Sequence, residues 1–247
     1  MKSRVDFIGI PLDNLSMSET LYRIDQAIIY NKQIHHCVIN AGKVVKMQSD
    51  KLLMESVISS DIINADGMSI VWASRFLGHK IKERVAGIDL MENLVKLAYQ
   101  NSYRCFFLGA KQEILEKLVN EYSAKYSKNI IAGYRNGYFD EKDEKEIIKK
   151  IKESNAEFLF VAITSPKKEI FLNKYKQELK NVNLIMGVGG SFDVISGKVS
   201  RAPFFMQKIG LEWLYRFIQE PARMWRRYLI GNIKFMIIIF KARFFKS

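Results

Sequence analysis

Residues 104–109, Arg-Cys-Phe-Phe-Leu-Gly, form a short apolar run that ends in a glycine. Aromatic and apolar side chains in such a run are typical of a strand that is buried on both faces. Residues 111–127 follow with the apolar spacing of an amphipathic helix. A strand followed by a helix is the unit of a parallel sheet, because parallel neighbours need a crossover connection.

The same unit recurs up to about residue 190, without an internal repeat. The pattern predicts an α/β fold with a mostly parallel, doubly wound, Rossmann-like sheet that is covered by helices on both faces. The other predicted strands are residues 5–9, 36–40, 62–65, 129–133, 157–163 and 183–188. The other predicted helices are residues 18–30, 42–60, 68–77, 88–101, 141–154 and 167–180.

Length and composition favour a single globular body. The chain has 247 residues, of which 48% are hydrophobic, enough for one core with an appendage. Cys37 and Cys105 are too few for a disulfide framework, which favours a reducing compartment. Residues 1–12 lack the apolar block of about 7–15 residues that a signal peptide needs. We therefore expect a cytoplasmic protein.

The net charge of +13 is concentrated near the C-terminus. Residues 201–247 hold ten Lys and Arg against two Glu, a net of +8, which leaves +5 for the first 200 residues. A basic region of this kind attracts polyanions: nucleic acid, anionic lipid headgroups or a diphosphate. A solvated helix face is the alternative interpretation.

After Gly197 the strand pattern stops. The sequence then predicts two basic amphipathic helices, residues 203–220 and 222–243, with Pro221 where the second begins. We divide the chain into an α/β body, residues 1–197, and a C-terminal appendage, residues 198–247.

The appendage mixes aromatic residues with Lys and Arg. Its longest apolar run, residues 235–240, has six residues, whereas a membrane-spanning helix needs about 20. Apolar burial and attraction to anionic lipid act together in an interfacial helix. We expect docking on a membrane surface, with plain packing or a homo-oligomer contact as the alternatives.

Polar residues at the ends of the predicted strands are the first candidates for a site, because ligands of an open α/β sheet bind beyond the carboxyl ends of its strands. Asp66 opens a helix, so it either caps that helix or acts as a general base. Asn40 either binds a sugar hydroxyl or stabilises its own turn. Arg84 lies just before a helix N-terminus, where an anion is favoured.

Glycines mark two further strand ends. Gly109 suits close approach of a phosphate or a base, although no GxGxxG fingerprint is present. Gly187, Gly189 and Gly190 permit positive φ and expose N–H groups that can line a nucleotide pocket; a tight turn is the alternative. The sequence has no recognisable metal-ligand spacing, so we expect no metal and no cofactor.

Taken in order, these segments resemble the WecG/TagA/CpsF glycosyltransferase family of bacterial cell-surface polysaccharide synthesis. The resemblance covers nearly the whole chain and rests on the ordered set of segments. They are IINADG at 62–67, ERVAGIDL at 83–90, FLG at 107–109, NGYF at 136–139, SPKKE at 165–169, GVGGSFD at 187–193, RAP at 201–203, GLEWLYR at 210–216 and QEP at 219–221.

The resemblance implies a metal-independent, inverting enzyme at the inner face of the plasma membrane. It would move a hexose, an N-acetylhexosamine or a uronate from a UDP-sugar to an undecaprenyl-diphosphate-linked acceptor. The body would then be the nucleotide-sugar-binding catalytic domain, and the appendage would be a lid and a membrane dock.

The resemblance also implies roles for single residues. Asp66 corresponds to the base, and Asn40 and Arg84 to the sugar pocket. The arginines over the diphosphate correspond to Arg216 and Arg223, with Arg226 or Arg227 as the third; Arg216, Arg223 and Arg227 would share one face of a continuous helix. The positions implied around the nucleotide are Gly109, Tyr138, Pro166, Lys167, Glu169, Gly189 and Asp193.

Two positions depart from the family pattern. Val38 replaces a common threonine and has no side-chain hydrogen-bonding group. Lys168 replaces a glutamine, so we also assign it to substrate binding. If Lys168 faces the donor, it would favour a carboxylated sugar or hold the diphosphate; if it faces solvent, nothing changes.

Two other functions fit parts of the sequence. A basic module could bind nucleic acid through the appendage. A nicotinamide-dependent oxidoreductase uses the same type of sheet. We expect neither, since the first leaves the polar strand ends unexplained and the second lacks its fingerprint.

Overall fold

The computed structural model describes residues 4–225 and 229–245, and within them every side chain except those of Lys208, Arg223 and Met224. The described chain contains an antiparallel hairpin and a six-stranded parallel sheet. The hairpin comprises β1 (Arg4–Phe7) and β2 (Ile10–Asp13). The parallel strands are β3 (Ile34–Ile39), β4 (Ile62–Ala65), β5 (Cys105–Gly109), β6 (Ile131–Arg135), β7 (Phe158–Ala162) and β8 (Leu184–Gly187), in the spatial order β4-β3-β8-β7-β5-β6.

Helices connect and cover the strands. Those of the body are α1 (Met17–Ile29), α2 (Ala41–Met47), α3 (Lys51–Ile58), α4 (Met68–Phe76), α5 (Gly87–Asn101), α6 (Gln112–Lys125), α7 (Glu141–Glu153), α8 (Lys167–Tyr175) and α9 (Ser191–Ile195). Those of the appendage are α10 (Phe204–Lys208), α11 (Glu212–Gln219), α12 (Pro221–Trp225) and α13 (Gly231–Phe244).

Alternate strand residues pack on opposite faces of the sheet, as the period of a strand requires. Phe107 and Phe160 join the core cluster that includes residues of α5, α6 and α9. Leu108 and Val161 join the cluster that includes residues of α7 and α8. The doubly wound, Rossmann-like fold that the sequence predicts is therefore confirmed.

The winding direction reverses between β3 and β8, which are neighbours in the sheet. The helix after β3 packs on one face, where Val44 lies in the same cluster as Ile39. The helix after β8 packs on the other face, where Phe192 contacts the Phe107 ring. Such a switch point opens a crevice at the carboxyl ends of the two strands.

The strand predicted at residues 5–9 was wrong in its end and in its place: β1 ends at Phe7 and belongs to the hairpin. The chain turns at Ile8 and Gly9, whose φ angles are +50° and +80°. Two consecutive residues with positive φ make the tight turn of a two-residue hairpin. Phe7 consequently pairs with Ile10 in the hairpin, outside the parallel sheet.

Several other predicted elements have different bounds, among them the helix predicted at 167–180, which ends at Tyr175. The helix predicted at 42–60 is broken, because the Asp50 side chain caps α3 by accepting from Leu53 N. The helix predicted at 203–220 is broken at Gly210, whose φ is +76°. Before β6, Ser127 caps a short 3₁₀ helix, Lys128–Ile130, so that strand begins two residues later than predicted.

The appendage packs on the body through α13. Phe235 and Ile239 are buried in the cluster that also contains Val44 and Met47 of α2. The Phe244 ring meets the Phe76 ring edge to face at 6.2 Å. Across the described ranges, the helices fall short of the length and hydropathy that crossing a membrane requires.

Candidate active site

Asp66 follows β4 directly at the carboxyl edge of the sheet. Its backbone N–H donates to Ile39 O at 2.8 Å, which fixes the residue beside the end of β3. The N-cap of α4 is Gly67, at φ +121°, and that helix start has no side-chain cap. Asp66 therefore does not take the capping role that the sequence left open. Its side chain is partly exposed and makes no hydrogen bond or ion pair with the described part of the chain.

Charged groups from three parts of the fold surround Asp66. Desolvation raises the pKa of its carboxyl, and the nearby Glu212 carboxylate raises it further. Arg84, Arg216 and Lys43 act in the opposite direction without cancelling the shift. The carboxyl thus binds a proton more tightly than an ordinary aspartate, as a general base near neutral pH requires.

Arg84 lies between two carboxylates. Its Nη1 donates to Glu212 Oε2 at 3.0 Å, and its Nη2 lies 3.8 Å from Asp89 Oδ2. Asp89 also accepts a hydrogen bond from Arg201. The predicted sugar-pocket arginine is therefore held by the body and the appendage together.

Asn40 stabilises its own turn, which is one of the two roles predicted for it. It is the N-cap of α2, and its side-chain oxygen accepts from Lys43 N at 3.1 Å. The amide nitrogen makes no hydrogen bond within the described ranges, and the residue is partly exposed. The cap consequently leaves both N–H donors of the Asn40 amide for a ligand.

A buried ionic cluster lies beneath the crevice. Glu169 Oε1 is 2.7 Å from the Nζ atoms of both Lys43 and Lys168. Lys43 Nζ also donates to Val38 O at 2.6 Å. Desolvation raises the pKa of Glu169, but the two ammonium groups outweigh it and lower that pKa to about 2. Glu169 is an anion bound by two cations of its own chain; the place around the nucleotide that the family resemblance implies for it stays a prediction.

Of the two orientations predicted for Lys168, the solvent-facing one is not present. Its side chain is 9% exposed and lies along Gly187, where an added Cβ would come within 3.2 Å of Lys168 Cε. Burial lowers the pKa of Lys168, Lys43 lowers it further, and Glu169 opposes both. Lys168 belongs to the buried cluster and does not face solvent.

Val38 packs against α5. The side chain is buried, and an added Cβ at Gly87 would lie 3.6 Å from Val38 Cγ2. The position that departs from the family pattern thus lines the sheet face below the first turn of α5.

The glycines serve two different purposes. An added Cβ at Gly109 would lie 2.5 Å from the backbone of Ala162, so the missing side chain admits the neighbouring strand. That Gly109 also admits a phosphate or a base stays a prediction. Gly189 and Gly190 instead border open space, with Gly189 at φ +56°, so their backbone remains available to a ligand.

The remaining predicted nucleotide residues are spread along the same edge. Tyr138 is exposed, and Lys167 Nζ donates to Phe139 O at 2.9 Å. Pro166 is the N-cap of α8. Asp193, in α9, pairs with Lys198 at 3.1 Å.

Of the three appendage arginines, Arg216 is the one with a described side chain. Its Nη2 lies 3.9 Å from Glu212 Oε1. Its positive charge is close enough to Asp66 to act against the rise in the pKa of that carboxyl. The backbone of Arg223 lies in α12, whereas Arg227 lies outside the described residues, as does Arg226. Within the described ranges, no three His, Cys, Asp or Glu side chains cluster as metal ligands.

Sequence reasoning assigned no role to Lys43, Glu212 or Gly210. An added Cβ at Gly210 would lie 2.8 Å from the Trp72 ring and 2.9 Å from Met68 Cβ, so this glycine lets α11 approach α4 beside Asp66. Glu212 and Gly210 both lie in the GLEWLYR segment, which is part of the family resemblance. That membership was the one signal in the sequence that could have pointed to them.

Comparisons with known proteins match almost the whole chain. Residues 5–247 match the model of a family described as the glycosyl transferase WecG/TagA/CpsF family. The chain is 40% identical over 176 residues to the N-acetylglucosaminyldiphosphoundecaprenol N-acetyl-beta-D-mannosaminyltransferase of Bacillus spizizenii, covering 71% of this chain and 67% of that protein. Proteins of the same name from Bacillus subtilis and Staphylococcus aureus are 36% and 31% identical, the latter over 98% of this chain and 94% of its own. For the Bacillus subtilis protein the shares are 73% and 69%.

Proposed function

The chain belongs to the WecG/TagA/CpsF family of glycosyl transferases, and we propose that it moves a sugar from a UDP-sugar to an undecaprenyl-diphosphate-linked saccharide. As a glycosyltransferase it is neither of the two other proteins considered, a nucleic-acid-binding module or a nicotinamide-dependent oxidoreductase. The observation that carries the proposal is the Asp66 carboxyl, which is partly exposed and lies among Arg84, Arg216 and Lys43 at the carboxyl edge of the sheet.

The proposed reaction is a single displacement with inversion. The acceptor hydroxyl oxygen attacks the anomeric carbon, the bond from that carbon to the phosphate oxygen breaks, and UDP leaves with the bonding electrons. Asp66 accepts the hydroxyl proton, and its raised pKa makes it a stronger base than an exposed aspartate.

Cations stabilise the charge that builds on the departing diphosphate. We assign this role to Arg216, Arg223 and Arg227, so the proposed reaction needs no metal ion. Arginine suits the role because its planar fork binds phosphate oxygens through two parallel hydrogen bonds.

The donor occupies the crevice between β3 and β8 in this proposal. The two amide N–H donors of Asn40 and the remaining N–H groups of Arg84 bind the sugar. The open backbone at Gly189 and the exposed ring of Tyr138 contact the nucleotide. The adjoining loops are shaped by Gly109, Pro166, Lys167 and Asp193. Lys168 contributes indirectly, through its ion pair with Glu169.

The names of the relatives suggest the first substrates to test. Those proteins are named for transfer of N-acetylmannosamine to N-acetylglucosaminyldiphosphoundecaprenol. We propose the same pair, UDP-N-acetylmannosamine and a lipid-linked N-acetylglucosamine, as the starting point for this chain in cell-surface polysaccharide synthesis.

We further propose that residues 1–197 form the catalytic domain and that residues 198–247 close over the donor and dock on the inner face of the plasma membrane. The support is an exposed apolar stripe on α13, on the side opposite the buried Phe235 and Ile239. Lys234 and Lys241 are exposed beside it, which suits an anionic surface.

A donor panel tests the proposal. UDP release is followed for UDP-linked ManNAc, ManNAc uronate, glucose, galactose and glucuronate, each with and without a short-chain prenyl-diphosphate-linked GlcNAc. We expect release from one donor that depends on the acceptor and is lost in Asp66→Asn. Absence of acceptor-dependent release from every donor would contradict the proposal.

A further inference from the structure

Glu212 is the first residue of α11 and connects the appendage to the body. It accepts from Arg84 Nη1 at 3.0 Å and lies 3.9 Å from Arg216 Nη2, one turn further along its own helix. The side chains of Arg84 and Glu212 are 13% and 21% exposed. The pair is therefore largely shielded from water, where a charge-assisted hydrogen bond is stronger than on an open surface.

The partner of Glu212 is also held from the other side. Asp89, in the first turn of α5, lies 3.8 Å from Arg84 Nη2 and is itself hydrogen-bonded by Arg201. A guanidinium has five N–H donors in a fixed fork. With its orientation set by two carboxylates, Arg84 keeps its remaining donors aimed in a defined direction.

The segment that leads into α11 lies close against the α/β body. Gly210 packs directly against Met68 and Trp72 of α4, the helix that begins two residues after Asp66. This contact sets the distance of Glu212 from the carboxyl edge of the sheet. The carboxylate that orients Arg84 is thus fixed relative to Asp66 as well.

We propose that Glu212 is a positioning residue for sugar transfer: it aligns the Arg84 guanidinium beside Asp66 and ties α11 to the α/β body. The inference rests on the proposed function, since it assigns Glu212 to the same site. Glu212 does not contact the reacting atoms; it acts through Arg84 and through the field at Asp66.

The charge of Glu212 has its own measurable effect. The groups that face Asp66 are Glu212 and Arg216 on α11, Arg84 before α5, and Lys43 on α2. Glu212 is the anion among them, and it disfavours the ionised form of Asp66. Removing that charge lowers the pKa of Asp66. The acid limb of the profile of kcat/KM against pH therefore moves to lower pH.

The test compares Glu212→Gln, Glu212→Asp and a matched control, Glu141→Gln, in which an exposed carboxylate of α7 is removed. We expect Glu212→Gln to lower kcat/KM at neutral pH about tenfold to hundredfold, the cost of a small misplacement of a binding group. Its acid limb should lie at lower pH than that of the wild type. Glu212→Asp should keep the acid limb and regain most of the rate, and Glu141→Gln should match the wild type in both.

The outcomes separate this inference from the proposed function. A wild type without transfer activity overturns both. If the wild type is active and Glu212→Gln is equally active, the role of Glu212 alone is overturned. The same holds if the acid limb of the pH profile of Glu212→Gln coincides with that of the wild type. If Glu212→Gln does not fold by circular dichroism, Arg84→Lys replaces it: this variant keeps the charge and loses the fork, so the rate should fall while the acid limb stays in place.

Discussion

The ammonium group of Lys43 lies 2.7 Å from Oε1 of Glu169, and this contact joins the helix after β3 to the helix after β7. Lys168 reaches the same oxygen from α8 itself. Both lysines and the glutamate are buried. The floor of the crevice is therefore held together by two ammonium groups and one carboxylate, and the carboxylate of Glu169 is the anion that both lysines share.

Glu169→Gln should destabilise the fold by about 3–5 kcal/mol, because removing one partner of a buried ion pair leaves uncompensated charge. Chemical denaturation monitored by circular dichroism measures the change. The control is Glu153→Gln, whose side chain is 64% exposed and whose loss should cost at most about 1 kcal/mol. An equal effect of the two substitutions would show that the cluster does not support the fold.

The same variant should change the response to acid. The pKa of Glu169 is lowered from 4.5 to about 2 in the folded protein, so its stabilising contribution is complete above pH 4.5 and is lost as the pH falls towards 2. The free energy of unfolding of Glu169→Gln should vary less with pH in that window than that of the wild type.

Much of the fold follows from local pattern. The buried strands of the parallel sheet are continuous apolar runs, and the rule that ligands bind at strand carboxyl ends places Asp66 and Asn40 at one edge. The hairpin was missed because Ile8, a β-branched residue, adopts positive φ, a conformation that sequence rules reserve for Gly and Asn.

The ionic partners in the site did not follow from pattern. Glu212 lies 128 residues from Arg84 along the chain, and nothing in either segment identifies the other. Lys43 occurs in the first turn of an ordinary helix, and its pairing with Glu169 depends on which strands become neighbours. Local periodicity carries no such information, because tertiary packing alone brings these groups together.

Gly210→Ala should impair catalysis while the body stays folded. The added methyl group would lie 2.8 Å from the Trp72 ring, in a backbone with φ +76°, so α11 must move away from α4. Gly197→Ala is the matched control: it has a similar φ of +73° but open space around it. Both variants carry the backbone strain, and Gly210→Ala alone should lower kcat/KM, by about tenfold or more. Equal rates in the two variants would mean that the contact with α4 does not position α11.

Asp66→Asn should lower kcat by about 10²–10⁴-fold, the usual contribution of a general base. UDP binding, measured by calorimetry, should remain near the wild-type value, because Asp66 accepts a proton and does not hold the nucleotide. In the wild type, kcat/KM should fall as the pH drops through the pKa of Asp66, which desolvation and Glu212 raise above its ordinary value of 3.8. Undiminished turnover by a folded Asp66→Asn protein would remove the general-base assignment.

Met236→Ser together with Phe240→Ser should weaken binding to anionic vesicles. Both side chains are more than half exposed on the stripe of α13 that faces away from α2, and each contributes buried apolar area if that stripe enters the headgroup region. Sedimentation with vesicles of mixed phosphatidylglycerol and phosphatidylcholine measures the bound fraction, which should fall at least severalfold, about 1 kcal/mol or more being lost for each side chain. The control pair, Tyr22→Ser with Ile29→Ser, removes side chains of similar exposure from α1 and should leave the bound fraction unchanged. If both pairs bind vesicles as the wild type does, α13 is not the docking surface, and its exposed stripe would have to be covered in another way.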